Sequence, residues 1–247
     1  MAGKAKPKPY EVFEANIEDA DRLIAFARTL TNGRKYGMRR ELRESVGDAL
    51  KMQKKKWDSL DCVESDDLFV VIKPGGAVVR ENFTEPQLRP LLRQAVVATS
   101  AAIESYVAEK ARVYISEALE TRPERFKDVT LSLDVVLDIE SQYTRRRWGH
   151  RAILEGYIDA EASADPAKIG KIFSTVGVKG FWPKVDGHRH KSKGTSERQL
   201  REIRARRNKI AHTGDRTPTG RATLSLDVVE EFAANARSIV GALEAVL

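Results

Sequence analysis

The side chains with the most chemistry in them are gathered in Arg206-Arg207-Asn208-Lys209-Ile210-Ala211-His212-Thr213-Gly214-Asp215. An imidazole titrates near neutrality and can take or give a proton during a reaction. A guanidinium carries a permanent charge on a fork that matches two phosphate oxygens. Together they suit a phosphodiester. RNA brings its own nucleophile, the 2′-hydroxyl. A base must remove that proton, a cation must meet the charge growing on phosphate, and an acid must protonate the leaving 5′-oxygen. A plainer reading competes: the end of a helix favours Arg and His because they answer its dipole and its bare carbonyls. On residue types alone, the plainer reading has the stronger claim.

These residues need a helix to hold them. Ser196, with Gln199 three positions on, reads as a capping box, and Gly214 reads as a stop. Leu200, Ile203, Ile210 and Ala211 form an apolar stripe, and position 207 interrupts it with Arg. An Arg on the packing side of a helix needs a carboxylate, a carbonyl or a phosphate beside it. Asn208 lies one turn before His212 and on the same face, where it can orient the imidazole.

Arg207 to His212, in the form Arg-Asn-x-x-x-His, resembles the R-x4–6-H signature of HEPN domains, and the wider wording is most similar to the RiboL-PSP-HEPN branch. The resemblance implies a mainly α, HEPN-like helical bundle. It implies a dimer in which two signatures meet, and a metal-independent endoribonuclease of toxin–antitoxin, abortive-infection or other antiviral-defence systems. Its products would be a 2′,3′-cyclic phosphate and a 5′-hydroxyl. Arg207, His212 and Asn208 then fall in the catalytic set. Glu104 joins them, because Ala101-Ala102-Ile103-Glu104-Ser105-Tyr106 is similar to the family's Ala-x-x-Glu-x-aromatic setting; the alternative is an ordinary Glu–Arg pair inside a bundle. Arg206 and Lys209 are candidate RNA contacts. No cofactor is implied, and the partners are RNA, a second copy of the chain, and an antitoxin or defence-complex protein. A non-catalytic module that binds nucleic acid, nucleotide or a partner protein is the alternative.

The rest of the chain fits around that. A net charge of +7 and a pI near 9.4 favour a polyanionic partner, although many proteins are mildly basic. No apolar run is long enough to span a membrane. Residues 1–9 are basic and lack an apolar core, so they read as a flexible tail rather than a secretory signal. One cysteine, Cys62, rules out an internal disulfide and points to a reducing, cytoplasmic setting.

Residues 10–82 read as an N-terminal helical extension, with a helix to Thr31-Asn32-Gly33 and a second from Met38 to Trp57. That second helix carries Arg39, Arg40, Arg43, Lys51, Lys54, Lys55 and Lys56, which either touch phosphate or form a solvated face. The extension ends in a small β-hairpin, with Leu68 to Ile72 returning through Ala77 to Val79. Residues 83–247 read as the HEPN-like domain, opened by a long helix from Glu85 with a wide stripe from Leu88 to Leu119. The pattern at 129–139 fits strand or helix, and the family fold argues for helix. Arg145, Arg146 and Arg147 stand in the densest basic cluster, beside Tyr143 and Trp148, and are further RNA-contact candidates; the alternative is a basic helix start with Trp148 packed inward. Asp165-Pro166 opens a short helix. Asp186, His188 and His190 lie in a stretch that reads as a mobile loop, and no metal site is expected there. The last helix runs from Ser225 to Val246.

Overall fold

Helices dominate the computed structural model, which describes residues 7–66, 68–121, 137, 141 and 146–247. The first helix, α1 (Pro9–Asn32), buries Phe13, Ile17, Ala20, Ile24, Ala27 and Leu30, the face its 3.6-residue pattern predicts. The longest is α3 (Glu85–Thr121), with Pro86 in its first turn and Pro90 inside it. Residues on these helices belong to two compact units.

One unit comprises residues 21–95 and 223–230. It holds a three-stranded antiparallel sheet ordered β1 (Arg34–Gly37), β2 (Asp61–Glu64), β3 (Phe69–Ile72). The expected strand at 69–72 is present, but its partner differs from the expected one. Cys62 faces Val71 and Val63 faces Val70, so β3 pairs upstream, and Ala77 to Val79 form no strand. The helix expected from Met38 to Trp57 also divides. It is α2 (Arg40–Ala49), a turn through Lys51 at φ 51°, and a 3-10 helix over Lys54–Ser59. The divide is a packing solution. The Trp57 ring folds back against Gly47, where an added Cβ would overlap its Nε1, and Nε1 donates to the Met52 carbonyl at 3.2 Å. Met38, Leu60 and Cys62 form the small core beneath, with Val46, Met52 and Val71 packed on it.

The other unit comprises residues 1–20, 96–222 and 231–247. Besides the parts of α1 and α3 that fall in it, it contains α4 (Arg146–Glu161), α5 (Pro166–Thr175), α6 (Trp182–His188) and α7 (Thr195–Thr213), and a minimal hairpin of β4 (Arg216–Thr217) and β5 (Gly220–Arg221). The final helix is α8 (Leu226–Val246). Phe13 meets Tyr106 edge-on at 6.2 Å between ring centroids. The Tyr106 hydroxyl donates to Glu244 Oε2 at 2.9 Å, and burial, with the Glu244 charge beside it, pushes that hydroxyl far above its usual pKa. Asp165 caps α5 by accepting from the Ala167 N–H at 3.0 Å, with Pro166 in the first turn as expected. The stretch at 129–139 lies outside the described residues except for Leu137.

Candidate active site

Helix α7 carries the Arg-Asn-x-x-x-His run, and both its ends are held by residues outside it. At the start the cap comes from α6. Asp186 Oδ2 accepts from the Gly194 N–H at 2.6 Å, and Oδ1 accepts from the Ser196 N–H at 2.9 Å and from Ser196 Oγ at 2.5 Å. Ser196 is therefore a buried first-turn residue and not the cap that the Ser196–Gln199 spacing suggests. Burial alone would raise the Asp186 carboxyl's pKa. The hydrogen bonds from Ser196 and Gly194 and the Arg189 charge outweigh burial and hold it below the usual carboxylate range.

Arg189 is buried in turn. It donates to Ser196 Oγ at 2.7 Å and to Ser238 Oγ of α8 at 2.8 Å, and burial lowers its pKa. The stretch expected to be a mobile loop thus forms α6 and a polar joint linking α6, α7 and α8. Among the described residues no group of three or more His, Cys, Asp or Glu side chains has the spacing to hold a metal.

Along α7 burial falls away toward the C-terminus. Leu200 and Ile203 are fully buried, Arg206, Arg207, Asn208 and Ile210 are half-buried, and Lys209, Ala211, His212 and Thr213 are exposed. Ala211 therefore does not continue the apolar stripe. Gly214, at φ 60°, ends the helix, and its N–H bonds to the Ile210 carbonyl at 3.0 Å.

The arginines of this helix are tied to different degrees. Arg204 meets Asp165 at 2.8 Å and Arg206 meets the fully buried Asp215 at 2.6 Å. Arg207 stands 4.0 Å from Glu104 of α3 and is one-third exposed. Its Nη1 donates to Asn208 Oδ1 at 3.3 Å, so Asn208 contacts the guanidinium, and no hydrogen bond to the His212 imidazole occurs among the described residues. Glu104 Oε1 accepts from Ser100 Oγ at 3.2 Å. The structure thus brings Arg207, Asn208 and Glu104 into one cluster, with His212 on the exposed turn beyond it. Arg145 lies outside the described residues, and so do the side chains of Arg146 and Arg147, whose backbone starts α4.

Asp215 is the residue that sequence reasoning leaves without a role. A signal for it exists: an acid just past a stop glycine folds back over the last turn, and an Arg waits there.

A family model described as RiboL-PSP-HEPN matches residues 76–247. No curated protein and no solved structure matches the chain.

Proposed function

The chain belongs to the RiboL-PSP-HEPN family, a HEPN superfamily member, and from that premise we propose that it is a metal-independent endoribonuclease. In this reading His212 works on the protons and Arg207 on the phosphate. The 2′-oxygen loses its proton to one imidazole and bonds to phosphorus. The bond from phosphorus to the 5′-oxygen breaks, and that oxygen takes a proton from an imidazolium. A 2′,3′-cyclic phosphate and a 5′-hydroxyl result. One chain offers one His212, so two copies meeting at the motif supply the base and the acid, with an Arg207 from each on the same phosphate. Asn208 and Glu104 set the Arg207 guanidinium, and Lys209 lies exposed for a flanking phosphate.

The observation that carries this reading is the unequal tying of the arginines. Arg204 and Arg206 lie within 2.8 Å of carboxylates, and Arg198 and Arg201 face carboxylates of their own helix, while Arg207 keeps a 4.0 Å contact to Glu104 of α3, five residues before the exposed His212. A helix cap needs no such difference. The catalytic part in this reading is residues 83–247, with 10–82 an appended extension. A toxin or antiviral-defence effector held silent by an antitoxin or a defence-complex partner in a reducing cytoplasm is the setting that fits.

Labelled single-stranded RNA in the presence of EDTA tests the chemistry. Cleavage is expected, with loss on His212→Ala and retained binding. Equal cleavage by wild type and His212→Ala removes His212 from the reaction. A requirement for magnesium rejects the metal-free scheme. Binding without cleavage by the wild type makes the domain a non-catalytic module.

A further inference from the structure

Three consecutive positions, Ala211, His212 and Thr213, are exposed, and Ile210 before them is only half-buried. Such a turn has little packing of its own, and the last turn of a helix is where fraying starts. A reacting imidazole there needs something else to hold it. The chain provides a strap. Past the helix, Asp215 takes a left-handed conformation, φ 64°, that non-glycine residues seldom adopt. Its N–H bonds to the Lys209 carbonyl at 3.0 Å. Its carbonyl accepts from the Ala222 N–H at 2.8 Å, which closes the base of the β4–β5 hairpin. Its carboxylate, fully buried, takes Nη2 of Arg206 at 2.6 Å. Thr213 Oγ1 adds a bond to the Lys209 carbonyl at 2.7 Å.

We propose that Arg206 and Asp215 are a positioning pair: their ion pair, fully buried at its Asp215 end, brackets the motif from the residue before Arg207 to a residue beyond His212 and holds the exposed turn in register. The inference rests on the ribonuclease reading for its functional consequence, and not for its structural one. It also moves Arg206 from a candidate RNA contact to a scaffold residue, because a guanidinium committed to a buried carboxylate is not free to follow a phosphate. Asp215 sits where substrate does not reach, so its effect on the reaction passes through the backbone. A misplacement on the order of 1 Å in a catalytic group is enough to slow a reaction by about a hundredfold.

Asp215→Asn is the variant of choice, since Asn tolerates the left-handed conformation and keeps the shape while removing the charge. Backbone amide exchange in the full chain is measured first. The Ala211, His212 and Thr213 amides are expected to exchange about tenfold faster or more in the variant, while amides at Leu200 and Ile203 stay protected. Cleavage of single-stranded RNA at a temperature where far-UV circular dichroism shows the variant folded is measured second. A drop in kcat of about tenfold or more with KM nearly unchanged is expected.

Unchanged exchange overturns the proposal. So does a fall in KM with kcat kept, because releasing Arg206 would then have improved RNA binding. If Asp215→Asn does not fold, Arg206→Lys, which keeps the charge and loses the fork, is judged by the same two measurements. Faster exchange in a protein whose His212→Ala variant cleaves as well as wild type sinks the ribonuclease reading while leaving the strap intact.

Discussion

Arg207 is held by two weak interactions, and its other side reaches solvent. An ion pair at 4.0 Å with both partners about one-third exposed or less contributes little to stability, about 1 kcal/mol or below. Its geometry matters more than its energy. Glu104, hydrogen-bonded by Ser100, sets a negative charge 4.0 Å from Nη2, and Asn208 accepts from Nη1 at 3.3 Å. A lysine at 207 would keep the charge and forgo both. Arg207→Lys is therefore expected to cleave RNA about a hundredfold more slowly, the size of effect seen when one donor aimed at a developing charge is removed. Its thermal unfolding midpoint should match wild type within about 2 °C, because Glu104 and Asn208 meet the guanidinium at a half-exposed position where such pairs add little. Single-turnover cleavage and a melting curve on the same preparation decide it. A rate within twofold of wild type would mean that charge alone suffices.

At the scale of the element, α7 is placed by its ends. Asp186 supplies the cap from α6 and is itself held by four hydrogen-bonding or charged groups. Removing the charge with Asp186→Asn should cost about 2 kcal/mol, in the range for a lost cap or a charge-assisted buried hydrogen bond. The pH dependence carries a sign. A carboxylate whose folded pKa is lowered stabilises the fold above its unfolded pKa, and that stabilisation is lost as pH falls through the folded value. Denaturant titrations below about pH 4 should therefore show wild type losing stability more steeply than Asp186→Asn, and parallel acid limbs would remove Asp186 from this role.

The same helix shows what a linear reading can see. Its end is written locally in Gly214, and its catalytic candidates sit within six positions of one another, so both are legible. Its start is not, because the capping carboxylate stands ten residues before Ser196, on another helix. Strands β1 and β2, Arg-Lys-Tyr-Gly and Asp-Cys-Val-Glu, have neither the alternation nor the apolar run that marks a strand, whereas Phe-Val-Val-Ile at β3 has the run. Pairing, rather than pattern, makes those strands.

The whole molecule raises the question of how many chains make one site. In an in-line displacement the entering 2′-oxygen and the leaving 5′-oxygen lie on opposite sides of phosphorus, so one imidazole does not reach both, and a second copy supplies the other. The charge suits an RNA substrate: nine basic against four acidic residues between Arg34 and Leu60 leave that segment at +5, against +7 for the whole chain. If one cleft takes its base from one chain and its acid from the other, a dimer with a single His212 lacks one of the two. His212→Ala, mixed in increasing share with wild type at fixed total protein, should then silence wild-type chains by subunit exchange. Cleavage is expected to fall as about the square of the wild-type fraction, to roughly a quarter at an equal mixture, because only dimers with both imidazoles act. A linear fall, to roughly half at an equal mixture shown by mass to contain mixed dimers, would assign the full reaction to each chain separately and end the two-histidine scheme.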